Sequence, residues 1–283
     1  MKNILVLMHD DVGQEARFQA ALDVTRALDG HLTCIDVAVK PVTVDDYATL
    51  GGAALLLGDE QVSEAANRAR MEKRLKVEGV AYDWIQTTGF LSPSVREAAG
   101  LADLIVLNRD IKDAYPDMEE VATEVLIKSG RPILAVPRAC QRFDAFGHAM
   151  IAWDGSVEAE KALRAAVPLL QLASTVTIVV CEDSSIKTPV EEAAAYLSRH
   201  GVKPVVHPIG YAMDIPSTIL LEQIEANGAA YLVMGGFGRS PFIEAVLGGV
   251  TRRMATEVSW SAATSRIGRP ARRPRTIDEC LSA

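Results

Sequence analysis

The sequence has few cysteines and histidines, and none of them is spaced as metal ligands usually are. Its four cysteines (Cys34, Cys140, Cys181 and Cys280) are far apart in 283 residues, and none belongs to a C-x-x-C motif. The five histidines form no H-x-x-x-H pair or other zinc spacing. We therefore interpret the cysteines as reduced thiols and predict no metal ligands among the site residues.

The sequence also lacks an excess of positive charge and long apolar segments. Its formal net charge is −8, which argues against a nucleic acid or an anionic membrane surface as the main partner. No apolar run is long enough to span a bilayer, and residues 1–13 lack the cleavage region of a signal peptide. We therefore expect a cytoplasmic protein that binds neither nucleic acid nor membrane.

Three catalytic or cofactor motifs are missing as well. The G-x-S-x-G nucleophile elbow does not occur, and no lysine follows the glycines as the Walker motif requires. The dinucleotide motif G-x-G-x-x-G is broken because Pro241 stands three residues after Gly238. These absences argue against a serine hydrolase, a P-loop hydrolase and a Rossmann dehydrogenase. We predict no catalytic residues, and weak ATP hydrolysis at most.

What the sequence does contain is a twice-repeated alternation of strands and helices. The length suits two ordinary domains, and 49% of the residues are hydrophobic, which is enough for a core in each. Alternating strands and helices predict parallel sheets covered by helices on both faces. The predicted strands are 3–8, 31–39, 80–87, 103–107 and 132–136, then 148–153, 176–181, 203–209 and 230–234. The predicted helices are 14–28, 59–78, 92–101 and 118–129, then 158–172, 189–200 and 217–226.

Some segments between these elements have a distinct composition. Residues 42–58 are rich in small residues and are expected to be a loose connection. The charged side of the helix 59–78 is interpreted as a solvated face. Residues 138–147 are interpreted as a linker, and Asp10 and Asp154 are expected to occupy equivalent places at the ends of the two first strands.

A glycine-rich loop follows the strand at 230–234. Gly235, Gly238 and Gly248 are separated by two and then nine residues, and a segment with helical spacing begins at Gly248. Glycine allows a backbone to approach a ligand closely, and a helix N-terminus offers unpaired N–H groups and partial positive charge. This arrangement favours phosphate binding, although such a loop also serves as a simple turn in many α/β folds.

The loop resembles the G-x2-G-x9-G-[Ser/Thr] signature of the universal stress protein family, whose ATP-binding members hold the nucleotide with it. Gly249 stands where the family has Ser or Thr, and Thr251 follows two residues later. The resemblance covers residues 2–137 and 148–259 and implies the tandem form. It implies two Rossmann-like units, each a five-stranded parallel sheet in the order 3-2-1-4-5, with the last strand of the second unit missing. The domains would be 1–137, a linker 138–147, 148–260, and a disordered Arg/Pro-rich tail 261–283.

The resemblance also implies the residues that bind one adenine nucleotide in the second unit. Asp154 would face the adenosine, unless it only caps the following helix, and the backbone of Cys181 would meet the adenine. Met234 and Gly235 would lie along the adenine and ribose. The phosphates would be held by Gly238, Gly248, Gly249 and Val250, with Thr251 close by, and Mg²⁺ or Mn²⁺ could accompany them.

The first unit is expected not to bind nucleotide. Its equivalent loop, 108–118, contains no glycine, and Glu119 and Glu120 stand where the phosphates would lie. The family resemblance implies a homodimeric stress-response protein that acts through its conformation or its partners. The alternatives are a weak ATPase or phosphotransfer enzyme that uses the same pocket, and a scaffold that binds no nucleotide.

Overall fold

The computed structural model describes residues 1–40, 52–108, 118–181, 188–209 and 216–235. The first unit consists of β1 (Asn3–Leu7), α1 (Gln14–Ala27), β2 (His31–Val39), α2 (Gly52–Glu78), β3 (Ala81–Gly89), α3 (Leu91–Ala98), β4 (Leu104–Asn108), α4 (Met118–Ser129) and β5 (Ile133–Val136). The second consists of β6 (His148–Trp153), α5 (Val157–Leu170), β7 (Thr175–Cys181), α6 (Val190–Arg199), β8 (Val205–Ile209), α7 (Pro216–Asn227) and β9 (Tyr231–Val233).

Each unit is built on a parallel sheet. The first sheet has five strands in the order β3-β2-β1-β4-β5, which confirms the predicted order 3-2-1-4-5. The second sheet has four strands within the described residues, in the corresponding order β8-β7-β6-β9. A further strand next to β9 would come after residue 235 and so lies outside the described residues. The α/β class and the repeat of one architecture are confirmed.

The inner strands of the first sheet are mostly apolar because helices cover both of its faces. In β1 the side chains from Ile4 to Leu7 are all buried, and so is the whole of β4. In α1 the predicted apolar stripe, which includes Phe18 and Leu22, is buried against this sheet. The edge strand β3 instead has only exposed and half-buried residues.

Helix α2 corrects two expectations. It begins at Gly52, so residues 52–58 are helical and not a loose connection, and alanine and leucine at positions 53–57 suit a helix. Its polar side is not wholly solvated either, because Glu64 and Asn67 are each only 1% exposed. Both lie against the carboxyl ends of β1 and β2, where Asn67 Nδ2 donates to Met8 O at 2.7 Å. Charge patterning in the sequence does not show such a partner.

The connection between the units is packed and not a free linker. Phe143 and Ala145 are buried, and the Phe143 ring lies 5.4 Å from the ring of Tyr231 in β9. Its backbone N–H donates to Asp23 on α1 at 2.9 Å. One cluster of buried apolar side chains therefore contains residues of both units. The domain boundaries at 137 and 147 remain a prediction.

Length alone would allow α2, with 27 residues, to cross a bilayer, but its composition is too charged. Within the described residues, no helix combines the length and the apolar character that a membrane span requires.

Helices α1 and α2 are joined by an ion pair whose contribution should depend on pH. Arg74 donates to both carboxylate oxygens of Glu15 at 2.6 and 2.8 Å, and these hydrogen bonds lower the pKa of Glu15 to about 2 although burial opposes them. The unfolded chain titrates near 4.5. The pair therefore stabilises the fold above pH 4.5, and its contribution is lost as the pH falls toward 2.

We expect Glu15→Gln to lower the free energy of unfolding at pH 7 by less than about 1 kcal/mol, since both side chains are partly exposed and water screens the pair. At pH 2 the variant should match the wild type. Urea denaturation at both pH values measures this, with Asp29→Asn as the control, because Asp29 pairs with Lys2 at the fully exposed surface. An equal loss at both pH values would show that packing, and not charge, is responsible.

Candidate functional site at the carboxyl ends of the strands

The structure brings the described members of the predicted nucleotide site to one edge of the second sheet. Asp154 follows β6, Cys181 ends β7, and Met234 and Gly235 follow β9. Strands β9, β6 and β7 are neighbours and parallel, so their carboxyl ends lie side by side. Open α/β sheets bind small molecules at this edge. The other predicted site residues lie outside the described residues: Gly238, Gly248, Gly249, Val250 and Thr251.

Gly235 touches the first turn of α5. A Cβ atom at this position would lie 2.8 Å from the backbone nitrogen of Ala159 and 2.9 Å from the carbonyl carbon of Glu158. These are backbone atoms and cannot move aside cheaply, so glycine is required by packing alone. The glycine loop therefore begins directly against a helix N-terminus.

Asp154 and Ser156 together organise that helix N-terminus. Asp154 is exposed, and its Oδ1 accepts hydrogen bonds from Ser156 N at 3.0 Å and Ser156 Oγ at 2.6 Å. Ser156 is the N-cap of α5, because its Oγ accepts from Ala159 N at 3.1 Å. Gly155 between them has φ = 67°, which favours glycine. Capping is thus done by Ser156, and Asp154 holds the capping residue.

Cys181 and Met234 contribute differently. The Cys181 backbone pairs with Ile209 at the end of the β7–β8 ladder, so its main chain lies at the carboxyl edge of the sheet. The Met234 side chain is half-buried and packs against the apolar cluster that includes Met150 and Leu220. Met234 can therefore offer a ligand its backbone more readily than its side chain.

The strand registers show which residues of the first unit correspond to this site. Ile4 pairs with the first residue of β4 just as Ala149 pairs with the first residue of β9. His9 lies five residues after Ile4, and Asp154 lies five residues after Ala149, so His9 is the equivalent of Asp154. The expected equivalence of Asp10 and Asp154 is therefore wrong by one residue. Counting along β4 and β9 in the same way places Asn108 at the position of Gly235.

A buried arginine fills this edge of the first unit. Arg17 on α1 is 0% exposed, and its guanidinium donates to Leu7 O at 2.9 Å and His9 O at 2.8 Å. It pairs with Asp11 at 2.8 Å and also donates to Asn108 Oδ1. All these partners belong to the ends of β1 and β4 and the loop after β1.

Asn108 also fills the carboxyl edge of the first sheet, which we call the first edge; the carboxyl edge of the second sheet is the second edge. Its Nδ2 donates to Gly13 O at 3.3 Å and Val136 O at 3.2 Å, so its side chain joins the loop after β1 to β5. At Gly235 there is no side chain, and the first turn of α5 lies directly against the backbone. The fourth residue of α5, which matches Arg17 in α1, is Glu160, and it bonds Thr188 and Arg164 instead. Neither Arg17 nor Asn108 was predicted from the sequence to be a residue of this edge. The one available signal was that Arg17 interrupts an otherwise apolar helical stripe.

The long helix α2 also covers the first edge. Gly79 and Gly201 both have positive φ and end the chain's return helices α2 and α6. The two helices can be compared by counting back from these glycines. Helix α6 begins at Val190, eleven residues before Gly201, and the equivalent position in α2, eleven residues before Gly79, is Arg68. The segment Gly52–Asn67 therefore extends α2 beyond the start of α6, and it carries Glu60, Glu64 and Asn67 to the carboxyl ends of β1 and β2. Glu120 on α4, expected to repel phosphate here, is exposed.

This arrangement gathers four ionisable residues, His9, Asp36, Glu60 and Glu64, which we call the His9 cluster. His9 Nδ1 lies 2.6 Å from Glu64 Oε1 and 3.8 Å from Glu60 Oε1. Burial alone would lower the pKa of His9, but the contact with Glu64 and the nearby carboxylates outweigh it and raise the pKa. Burial and contact with Glu64 raise the pKa of Asp36 to about 8.

The sequence did not indicate the His9 cluster. Its members come from β2, from the loop after β1 and from α2, and none is close to another in the chain except Glu60 and Glu64. Those two share a helix face at a spacing of four residues, which is the only signal that the sequence offered.

The sequence matches no known family profile. No curated protein matches it either. Solved structures do match. A universal stress protein from Archaeoglobus fulgidus DSM 4304 superposes with a TM-score of 0.66 at 15% identity, over 89% of this chain and 92% of that one. The universal stress protein UspA from Lactobacillus plantarum matches at 17% identity and a TM-score of 0.39, over 48% of this chain and 97% of that one. A universal stress protein in complex with cAMP matches at 18% identity and a TM-score of 0.31, over 40% and 94%. The chain thus has the universal stress protein fold through both units.

The stability of the fold should depend strongly on the buried guanidinium of Arg17. We expect Arg17→Met to lower the free energy of unfolding by about 3–5 kcal/mol, because it leaves the Asp11 carboxylate and several acceptors without a partner. Urea denaturation at pH 7 measures this loss. Arg164→Met is the control, since Arg164 is 62% exposed and its pairing with Glu160 should contribute less than about 0.5 kcal/mol. A loss no larger than the control's would contradict the closure described here.

Proposed function

We propose that this chain, which has the universal stress protein fold, is a cytoplasmic stress-response protein that binds one adenine nucleotide, ATP, at the carboxyl edge of its second sheet. It acts by changing conformation or partners when the nucleotide binds. The observation that carries the proposal is the contrast between the two edges: at Gly235 the backbone itself lies against the N-terminus of α5, whereas the side chains of Arg17 and Asn108 fill the other edge.

The second edge has the features that a phosphate needs. The glycine loop starts at Gly235, in contact with the first turn of α5. From there the sequence runs through Gly238 to Gly248, whose backbone N–H groups could face a phosphate without a side chain in the way. A nucleotide held in this way depends on backbone geometry, so it tolerates the loss of one hydroxyl at Gly249.

The surroundings of Asp154 support a role in binding the adenosine part. Its Oδ1 is used by Ser156, while no described residue donates to its Oδ2. An exposed carboxylate oxygen fixed in this way can accept a hydrogen bond from a ribose hydroxyl. The bond from Ser156 holds the carboxylate in place before the ligand arrives, which reduces the entropy lost on binding.

The first edge is instead filled by side chains. The guanidinium of Arg17 is fully buried and its N–H groups are used by protein acceptors, so it is not available to a phosphate. The carboxylates of Glu60 and Glu64 lie at the same edge and would repel the phosphates of a nucleotide. One nucleotide per chain follows from this.

Two experiments separate this proposal from its rivals. Mass spectrometry of the purified, undialysed protein shows whether a nucleotide is retained, which a scaffold that binds none would not do. Timed release of phosphate from ATP, with a Gly248→Val variant as the control, tests for a weak ATPase or phosphotransfer enzyme. Mg²⁺ or Mn²⁺ is expected to accompany the phosphates and can be varied in the same assay.

Titration calorimetry with ATP tests the site itself. We expect one site per chain, with binding abolished in Gly238→Val and in Gly248→Val because a side chain blocks the approach of the phosphates. Gly249→Ser should tighten binding several-fold, since it restores a hydroxyl donor that contributes about 0.5–1.5 kcal/mol.

The controls for this titration come from elsewhere in the chain. Gly58→Ala changes a glycine of α2 that has open space around it, and Glu119→Ala with Glu120→Ala changes the first unit. Neither should alter the affinity for ATP. Two sites per chain, or undiminished affinity in Gly248→Val, would place the pocket elsewhere.

The proposal includes a homodimer. In the described residues β9 ends the second sheet, and a sheet edge without a neighbour favours pairing with another chain. Light scattering at high protein concentration should therefore give twice the monomer mass. A monomer at every concentration would remove the dimer from the proposal and leave nucleotide binding untouched.

A further inference from the structure

The His9 cluster holds ligand atoms close enough to share one ion. His9 Nδ1, a carboxylate oxygen of Glu60 and one of Glu64 all lie within 4.8 Å of one another. His9 and Glu64 are buried, and Glu60 is half-buried. The imidazole Nδ1 lies 2.6 Å from Glu64 Oε1, but neither this contact nor any other with a described residue is aligned as a hydrogen bond.

Asp36 provides an independent sign that something is missing from this cluster. It is 0% exposed, and neither of its carboxylate oxygens accepts a hydrogen bond from any described residue. Its carboxyl group lies against that of Glu64. Buried polar groups are nearly always paired, and two buried carboxyl groups in contact need either a shared proton or a cation beside them.

The neighbouring cations are committed to other partners. The Arg68 guanidinium bonds Glu72 at 2.9 Å and Gln86 at 3.2 Å. Arg70 bonds Asp10 at 2.9 Å and Asn67 at 2.8 Å. Arg17 is likewise used by its own acceptors. Within the described part of the chain, the Arg68 guanidinium acts on Asp36 only through its charge, and His9 is the one cationic side chain in direct contact with the carboxyl groups of the two glutamates of the cluster.

A supporting layer of hydrogen bonds holds these ligands in place. Glu64 accepts from Asp10 N at 3.2 Å and from Asn67 Nδ2 at 3.1 Å, and Glu60 accepts from Val39 N at 3.3 Å. Asn67 is itself fixed by Gln14, whose Nε2 donates to Asn67 Oδ1 at 2.9 Å. Metal-binding sites typically have such a second layer, which orients each ligand before the ion binds.

We propose that His9, Glu60 and Glu64, with Asp36, bind one divalent transition-metal ion at the carboxyl edge of the first sheet. One imidazole and several carboxylates suit Zn²⁺, Co²⁺ or Mn²⁺ better than Mg²⁺, which prefers oxygen ligands alone and keeps several waters. The ion would neutralise the carboxyl groups and take up the oxygens of Asp36. This site is in the first unit and does not depend on nucleotide binding in the second.

The test is a titration of the full-length, chelator-treated protein with Zn²⁺ and with Co²⁺ in the absence of nucleotide, so that no metal is held by phosphates. We expect one equivalent to bind. The Co²⁺ complex should absorb in the visible range and lack a thiolate charge-transfer band, which excludes the cysteines as ligands. Millimolar Mg²⁺ should not displace the Co²⁺, and displacement would overturn the assignment to a transition metal.

Variants assign the ligands. We expect His9→Gln and Glu64→Gln each to weaken binding by about a hundredfold or more, and Asp36→Asn by about tenfold or more, on the scale of measured losses at metal sites. Glu60→Gln should act in the same direction, and its half-buried position keeps it informative if a buried variant fails to fold by circular dichroism. His31→Gln is the matched control, because His31 lies 2.9 Å from Asp83 in an exposed pair without further ligands.

Two results would overturn the proposal. Wild-type protein that binds neither Zn²⁺ nor Co²⁺ stoichiometrically would show that the carboxyl pair is neutralised by a shared proton. Unchanged affinity in folded His9→Gln or Glu60→Gln protein would show that the metal binds elsewhere.

Discussion

Parallel pairing of the strands is the constraint from which the rest of this structure follows. Every strand pair in both sheets is parallel, so the chain must return over the sheet after each strand, and all carboxyl ends collect at one edge. The polar groups present at that edge then depend on two local features: the residues that follow each strand, and the length of the helix that brings the chain back. In the first unit α2 has 27 residues, and in the second α6 has 10.

Those two features make the carboxyl edges of the two units chemically different, although the strands of both sheets have corresponding orders. In the first unit a buried guanidinium and an amide close the edge, and the long helix adds carboxylates beside an imidazole. In the second, Gly235 brings the backbone itself against a helix N-terminus, and Asp154 stays exposed. The first edge is thus lined by ionisable side chains, and the second by backbone and one exposed carboxylate. One architecture therefore carries two different sets of polar groups at equivalent positions.

The sequence predicted the elements far better than it predicted their contacts. Strands β2 and β6 and helix α4 have the predicted limits, because apolar runs and helical periodicity are local properties. The burial of Glu64 was not predictable in this way, since it depends on His9 and Asp10, which are more than fifty residues away. The same holds for Arg17, whose partner Asn108 lies at the end of another strand. The position of Gly235 was predicted as part of a motif, but its packing reason became visible only when α5 was placed beside it.

The shared apolar core has a consequence for how the protein could report on its ligands. Phe143 packs on Tyr231 while its backbone bonds Asp23, so side chains of both units belong to one cluster and neither can unfold without exposing part of the other. A molecule that binds only the folded form of one unit therefore also protects the other, by an amount that grows with the logarithm of its concentration. Resistance of the whole chain to proteolysis would then rise with the concentration of that molecule.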